Sequence, residues 1–334
     1  MRILITGAGG FVGRALTAQL LAAEPVGEAK DQQLELLLLD HQLGDLPGDP
    51  RLAIFEGDLG NPALLERAIA GGVDRVFHLA SVPGGAAEAH FEHGLKVNLD
   101  ATVGLLEALR RKASRPRYVF ASTIGVYGVQ MPDLIDEQTV PAPSLSYGAH
   151  KLVGEILAAD YSRRGYIDGV SLRLPGIVAR PPQATGMLSA FLSDMLREVA
   201  RGQRFVCPVA RTGVSWWMSR ACVVDNLLHA GELPESQLAR GRTWLLPVLR
   251  ESMAEVVAAL GSVYGVDAEA LVSYRDDPGL RAQFASFPPL RCPDSLAAGF
   301  RSDGTVESMV RRALEGLSGR DDVEASWTRA SNSC

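Results

Sequence analysis

Thr6-Gly7-Ala8-Gly9-Gly10-Phe11-Val12-Gly13 is the stretch of this 334-residue sequence that decides the fold. An apolar, strand-like run (2–6) precedes it and a helical pattern (13–23) follows it. Glycines at 7, 10 and 13 permit a tight turn, the close approach of a pyrophosphate and close packing of the helix on the strand. The helix N-terminus offers unpaired N–H groups to phosphate oxygens. Placement between a strand and a helix therefore predicts a dinucleotide-binding loop rather than a simple structural turn.

Strand-like and helical stretches alternate along the first 180 residues. Short runs rich in leucine or β-branched residues lie at 2–6, 34–40, 52–56, 75–79, 118–121 and 169–174. Helical patterns lie between them at 13–23, 61–70, 95–112 and 147–164. Continuous apolar strands separated by helices are typical of a parallel sheet covered on both faces. The sequence thus predicts an α/β fold with a doubly wound parallel sheet of the Rossmann type.

Beyond residue 180, strand-like and helical stretches alternate less regularly, which suggests a domain boundary. We expect a dinucleotide-binding domain that carries the catalytic residues over 1–180. A smaller α/β domain over 181–318 is expected to bind substrate at the carboxyl ends of the strands, and it can return strands or helices to the first domain. The polar stretch 319–334 is predicted to be a flexible tail.

Composition and charge exclude several classes of protein. Hydrophobic residues make up 47% and charged residues 22% of the chain, enough for a sizeable core. The net charge of −6, without a lysine-rich tract, argues against a nucleic-acid partner. The chain opens directly on a strand, and runs such as 36–39 are far shorter than the roughly 20 residues that span a bilayer. A cytoplasmic protein without a membrane partner is expected.

No metal site is predicted. The four cysteines are scattered without a CxxC pair, so they match no common zinc pattern. His90 and His93 lie three residues apart, but two histidines without a third ligand or an acidic cluster are usually loop residues.

Asp40 ends the second strand-like run and bears on the choice of cofactor. A carboxylate there can accept hydrogen bonds from both hydroxyls of an adenosine ribose and would repel a 2′-phosphate. No arginine follows in Asp40-His41-Gln42, so NAD is predicted rather than NADP. Asp31 is a competing candidate, although it precedes the strand, and 24–33 has the composition of an inserted loop.

Tyr147 and Lys151 are four residues apart and so share one face of a predicted helix. A phenol, with a pKa near 10, is a poor base at neutral pH, but a neighbouring ammonium favours the phenolate. Upstream, Ser122 and Thr123 end a strand, where a hydroxyl can polarise a substrate oxygen. By itself this spacing is common in surface pairs, so its meaning depends on the rest of the chain.

Several motifs, in order over about 180 residues, resemble the extended short-chain dehydrogenase/reductases, which include nucleotide-sugar epimerases and dehydratases. They are the glycine loop, Glu56-Gly57-Asp58-Leu59, His78-Leu79-Ala80, Ser122-Thr123 with Val126-Tyr127-Gly128, and Tyr147 with Lys151. The resemblance implies that Tyr147 is the general base. It implies that Lys151 lowers the pKa of that tyrosine and binds the nicotinamide ribose, while Thr123 orients the substrate.

The same resemblance implies a set of cofactor contacts. Carried over residue by residue, they are Gly7, Gly10, Phe11, Val12, Gly13, Asp40, Asp58, Leu59, Ala80, Asn98, Tyr147, Lys151, Pro175 and Ile177. Asp58 and Leu59 would lie beside the adenine ring. In related enzymes the helices at 95–112 and 147–164 pair across a two-fold axis, and both stretches carry apolar residues on more than one face here. A homodimer is therefore expected.

A narrower resemblance, to the branch that oxidises D-erythronate with NAD, covers several later segments. They are 161–169, 172–181, 205–209, 216–219 and 224–230. It implies oxidation of the C2 hydroxyl of a small sugar acid, D-erythronate to 2-oxo-erythronate. Arg180 and Arg211 are candidates to hold the carboxylate. Trp216 and Trp217 either line the substrate pocket or pack the second domain. Substrate contacts are thus expected at Thr123, Tyr147, Arg180 and Trp216.

Other functions stay open on the same fold. A nucleotide-sugar 4-epimerase would use the same base and NAD but would return the hydride and release no NADH. A dehydratase is disfavoured, because Ile124 and Gly125 follow Thr123 where those enzymes resemble Thr-Asp-Glu. A non-catalytic NAD-sensing regulatory protein is disfavoured by the retention of Thr123, Tyr147 and Lys151 together. Net NADH formation with erythronate would separate these functions.

Overall fold

The protein is described by a computed structural model that covers residues 1–23, 34–182, 188–238 and 241–315. The predicted inserted loop, with Asp31, and the predicted tail from residue 319 lie outside these residues. Within them, no helix is both long enough and apolar enough to cross a membrane.

Strands and helices alternate along the chain. The strands are β1 (Arg2–Thr6), β2 (Glu35–Asp40), β3 (Leu52–Glu56), β4 (Arg75–His78), β5 (Arg117–Thr123), β6 (Ile135–Asp136), β7 (Asp168–Leu174), β8 (Gly176–Val178), β9 (Phe205–Cys207), β10 (Val214–Ser219), β11 (Thr243–Leu245), β12 (Leu249–Ser252), β13 (Val272–Tyr274) and β14 (Leu290–Arg291). The α-helices are α1 (Phe11–Ala22), α2 (Pro62–Ala68), α3 (Gly84–Ala89), α4 (Phe91–Leu95), α5 (Ala101–Lys112), α6 (Ser146–Arg163), α7 (Ala190–Ala200), α8 (Arg220–Glu232), α9 (Glu235–Leu238), α10 (Met253–Tyr264), α11 (Ala268–Leu271), α12 (Pro278–Phe284), α13 (Pro293–Ala297) and α14 (Val306–Leu314). A π-helical turn at Lys96–Asp100 joins α4 to α5, and a 3₁₀ turn at Ile124–Tyr127 follows β5.

The described residues form a seven-stranded parallel sheet in the order β11-β7-β5-β4-β1-β2-β3. Side chains alternate across each strand, and here both faces are covered. Ile3 and Ile5 of β1 pack with Leu16 of α1 on one face. Leu4 packs with Leu105 of α5 on the other face. The predicted doubly wound α/β fold is confirmed.

A smaller group of elements follows β7 at the carboxyl end of the sheet. It contains a sheet of order β12-β10-β8 and the parallel pair β13-β9. Helices α7, α10 and α14 enclose a separate core around Met195, Trp217, Val256 and Met309. Between these elements, β11 returns to the large sheet and pairs with β7. The two cores leave a cleft between them, and the ends of β1, β4, β5 and β7 open into it.

Candidate active site

The glycine loop turns tightly between β1 and α1. Gly7 has φ +74°, and a Cβ there would lie 2.6 Å from the backbone nitrogen of Ala80. A Cβ on Gly13 would collide with the Gly7 carbonyl oxygen. Gly10 precedes α1, and no side chain caps that end of the helix. The free N–H groups of the first turn therefore face the cleft, which is the arrangement that a pyrophosphate needs.

Asp40 lies beside this loop at the end of β2. Its Oδ2 accepts a hydrogen bond of 2.9 Å from the backbone N–H of Gly9, and its Oδ1 accepts one of 2.7 Å from that of His41. These two bonds fix the carboxylate at the edge of the cleft. Its remaining acceptor capacity suits ribose hydroxyls, so the residues present fit the adenosine half of NAD.

The cleft has a volume of about 2530 Å³. Pockets for one small ligand occupy roughly 300–1000 Å³. The cleft is therefore larger than a pocket for one small ligand, and it has room for a dinucleotide and a second molecule. The predicted cofactor residues that line it are Gly7, Gly10, Phe11, Val12, Gly13, Asp40, Asp58, Leu59, Ala80, Tyr147, Lys151, Pro175 and Ile177. At its edge, the hydrogen bond from Lys96, 2.8 Å long, lowers the pKa of Asp58.

Asn98 is the predicted cofactor residue that the cleft lining does not include. Its side chain is fully buried and clamps the backbone of Val82 instead. Oδ1 accepts from the Val82 N–H at 2.7 Å, and Nδ2 donates to the Val82 carbonyl at 3.0 Å. The expected direct contact is thus corrected to an indirect one. Asn98 fixes the segment after β4, which carries Ala80 and Ser81 along the cleft.

Tyr147, in the first turn of α6, is surrounded by hydroxyl groups. The hydroxyls of Ser81 and Thr123 lie close enough to its phenol to lower its pKa. Thr123 also caps the 3₁₀ turn after β5 by accepting from the Gly125 N–H at 3.0 Å. Lys151 follows one turn later, with Nζ 5.8 Å from the centre of the Tyr147 ring. The structure therefore brings the three predicted catalytic residues together. It adds Ser81, whose sequence signal is a hydroxyl directly after the strand end at His78-Leu79-Ala80.

Burial governs the protonation of this group. It raises the pKa of Tyr147, and the positive charge of Arg180 and the hydrogen bonds from Ser81 and Thr123 oppose that rise. Burial also lowers the pKa of Lys151 to about 7. The positive charge of Arg180 thus favours the phenolate in this structure, and the role of Lys151 in lowering the pKa of Tyr147 stays a prediction.

Arg180 borders the cleft next to the glycine loop. Its guanidinium carbon lies 5.3 Å from the centre of the Phe11 ring, and that of Arg220 lies 4.9 Å from the same ring. Burial lowers the pKa of both arginines. Arg211, the other candidate for the carboxylate, is exposed and paired with Glu269 at 2.8 Å. It does not line the cleft.

Trp216 does not reach the cleft either, so the expected substrate contact is corrected. Its side chain is fully buried and packs on Phe287 at a ring distance of 4.9 Å. The indole N–H donates to the Pro288 carbonyl at 2.9 Å. Trp217 is equally buried, in the core of the smaller group of elements. Trp217 therefore packs the core of the smaller group of elements, whereas Trp216 packs in a separate cluster that includes Ile124 and Val126.

The chain is similar in sequence and fold to several known proteins. A family model described as the NAD dependent epimerase/dehydratase family matches residues 3–218. The chain is 36% identical to a D-erythronate dehydrogenase of Cupriavidus necator, over 94% of this chain and 98% of the relative. It is 32% identical to a D-erythronate dehydrogenase of Haemophilus influenzae, over 94% and 99%. A solved nucleoside-diphosphate-sugar epimerase from Agrobacterium tumefaciens has a TM-score of 0.86 and 31% identity, over 94% of each chain.

Proposed function

The chain belongs to the NAD dependent epimerase/dehydratase family, and on that premise we propose that it oxidises the C2 hydroxyl of D-erythronate to 2-oxo-erythronate. It is an NAD-dependent oxidoreductase of the extended short-chain type. The observation that carries the proposed reaction is the proximity of the Tyr147 phenol to the hydroxyls of Ser81 and Thr123, in the cleft that the glycine loop also lines. The two D-erythronate dehydrogenases that match along nearly their whole length support the choice of substrate.

The cofactor residues would hold NAD along the cleft. The glycine loop would bind the pyrophosphate, Asp40 the adenosine ribose and Lys151 the nicotinamide ribose. When bound, NAD accepts a hydride at its nicotinamide ring, which is the oxidation itself. The protein supplies alignment and electrostatics around that chemistry.

Tyr147 would act as the base. As a phenolate it takes the proton from the C2 hydroxyl, while Thr123 and Ser81 hold the same oxygen in place. Arg180 would bind the C1 carboxylate, since it is a half-buried cation that lines the cleft and its charge lowers the pKa of the phenol. One arginine would thereby serve both the substrate and the base.

Assembly into a homodimer is part of the proposal. Helices α5 and α6 pack against each other and leave apolar side chains on their outer faces. Val103 is 36% exposed, Val153 39% and Ile156 60%. A two-fold pairing of these helices would cover them. The cytoplasm, the compartment expected from the sequence, stays a prediction.

The test is net NADH formation from NAD and D-erythronate by the purified protein. Tyr147→Phe is the matched control, because it removes the base while the adenosine half of NAD keeps its contacts. Turnover by the wild type and none by this variant is the expected result. Equal turnover by both proteins would show that the base lies elsewhere.

A second candidate is a nucleotide-sugar 4-epimerase, which the likeness to the A. tumefaciens structure favours. It would interconvert nucleotide sugars without releasing NADH. Conversion of such a sugar, with no NADH formed from any hydroxy acid, would replace the proposed function by this one.

A further inference from the structure

Several polar side chains line the cleft on the wall formed by the smaller group of elements, and four of them are considered together. Ser193 and Arg197 lie one turn apart on α7, Ser215 lies on β10 and Gln283 on α12. We call these four residues the distal subsite. Apolar side chains of Leu192, Phe284 and Phe287 also line this wall. A few polar groups set among apolar ones are typical of a site that binds and orients a small molecule.

Arg197 carries donors that the protein leaves unused. The side chain is only 4% exposed, and it forms an ion pair with Asp194 through Nη2. Its Nε and Nη1 are buried and have no hydrogen-bond partner. Buried donors without acceptors cost free energy, so such a group calls for an explanation. Nε and Nη1 do not belong to one fork of the guanidinium, so they require two separate acceptors.

The other members of the distal subsite are also free to bind. Within the described part of the chain, the side chains of Ser193, Ser215 and Gln283 form no hydrogen bond to another residue. Ser193 is 5% and Ser215 1% exposed, so both are enclosed by the wall that they help to form. The guanidinium presents donors alone, whereas the two hydroxyls and the amide present both donors and acceptors.

We propose that the distal subsite binds the hydroxyl-bearing end of the sugar acid, the part of the chain beyond C2. The inference rests on the proposed function, in which Arg180 and Tyr147 hold the carboxylate and the C2 hydroxyl. Because Asp194 already neutralises Arg197, the subsite favours neutral hydroxyl oxygens over a phosphate or a second carboxylate. It therefore selects polyhydroxylated acids over simple 2-hydroxy acids.

The test compares two acids that differ only at this end. D-erythronate and (R)-2-hydroxybutyrate share four carbons and the C2 hydroxyl, but the second lacks the hydroxyls on C3 and C4. In Arg197→Met, kcat/KM for erythronate should fall about tenfold or more, which corresponds to roughly one lost hydrogen bond. The value for 2-hydroxybutyrate, or its inhibition constant where turnover is too slow, should stay within about twofold of wild type. An equal loss for both acids, or no loss for either, overturns the proposal.

Matched variants show whether a loss of activity results from misfolding. Ser193→Ala and Ser215→Ala remove one hydroxyl each and should give the same selective loss. Arg204→Met removes an exposed arginine that does not line the cleft, and it should change neither acid. The melting temperature of every variant is measured beside its kinetics, and only folded variants are compared.

A binding measurement distinguishes failure of the proposed function from failure of the distal subsite. If the wild type forms NADH from neither acid, erythritol is titrated into the NAD-loaded protein by calorimetry. Binding that Arg197→Met and Ser193→Ala weaken would support the distal subsite even though the proposed reaction had failed. Absence of erythritol binding to the wild type would overturn the subsite.

Discussion

Arg173 donates to both carboxylate oxygens of Glu155 inside the protein, with Nε 3.0 Å from Oε1 and Nη2 2.7 Å from Oε2. The same carboxylate accepts from the Ser122 hydroxyl at 2.5 Å, and Arg173 also donates to the Tyr127 hydroxyl at 2.8 Å. The pair thereby ties β5, the 3₁₀ turn, α6 and β7 together. Because Thr123 follows Ser122, and Glu155 is one turn beyond Lys151, the pair positions the reacting residues without touching the cleft.

Glu155→Gln should therefore reduce both stability and turnover. It leaves the Arg173 charge buried without a full partner, a change that typically costs about 3–5 kcal/mol. We expect a lower free energy of unfolding in urea and a lower kcat, with a smaller change in NAD affinity. Glu66→Gln is the control, because its pair with Arg111 at 3.4 Å is exposed and should contribute less than about 1 kcal/mol.

A double variant separates positioning from stability. Glu155→Leu with Arg173→Met replaces the buried charges by apolar groups and should recover much of the lost stability. It should not recover kcat, because Ser122 and Tyr127 would have lost their partners. Recovery of both quantities together would show that the pair is needed only for folding.

The sequence predicted the parts of the site that depend on local spacing. The glycine loop and Asp40 lie at ends of adjacent parallel strands, and the carboxyl ends of such strands meet at one edge of a sheet. Tyr147 and Lys151 are one helical turn apart, so their common face could also be predicted. These residues all line the cleft.

Other parts of the site depend on contacts that no spacing along the chain reveals. Ser81 and Arg180 reach Tyr147 from the ends of two different strands. Asn98 lies in a π-helical turn, whose wider repeat shifts the faces that a 3.6-residue period would predict. Trp216 could have lined the cleft or packed the core, and the choice depends on which residues cover each face of β10. Phe287, which comes much later in the sequence, packs on the Trp216 ring and covers it.

The predicted preference for NAD over NADP can be tested at Asp40. Asp40→Ala removes the carboxylate that would accept from the ribose and repel a 2′-phosphate. We expect kcat/KM for NAD to fall by about tenfold to a hundredfold, since hydrogen bonds to charged groups contribute roughly 1.5–3 kcal/mol, and the value for NADP to rise relative to it. Asp45→Asn changes another acidic residue of the cleft as the control. An unchanged ratio of the two cofactors in Asp40→Ala would contradict the assigned role.

The proposed homodimer predicts a change of mass when α6 receives a charge. The chain has a mass of 35.7 kDa, so the wild type should scatter light as a particle of twice that mass at micromolar concentration. Ile156→Asp places a carboxylate on the outer face of α6, where burial against a partner would be costly, and should shift the particle to the monomer mass. Val140→Asp, at an 81% exposed loop position outside both helices, should leave the dimer intact. A wild-type mass of one chain would exclude the dimer.

The buried ammonium of Lys151 predicts a dependence of stability on pH. Burial lowers its pKa from 10.5 to about 7, so between these values the unfolded chain holds a proton there that the folded protein has lost. The contribution of this residue to the free energy of unfolding therefore rises with pH over that window and is least favourable at pH 7 and below.

Lys151→Met removes the free-energy cost of burying this ammonium. It should raise the free energy of unfolding at pH 7 although it abolishes activity, and the gain should shrink by up to about 1.4 kcal/mol per unit as the pH rises. Urea unfolding of wild type and variant at pH 7, 8 and 9 measures this difference. Lys96→Met is the control, because Lys96 is exposed and keeps its proton in both states over this range. A gain that stays constant from pH 7 to 9 would mean that Lys151 keeps its charge in the folded protein.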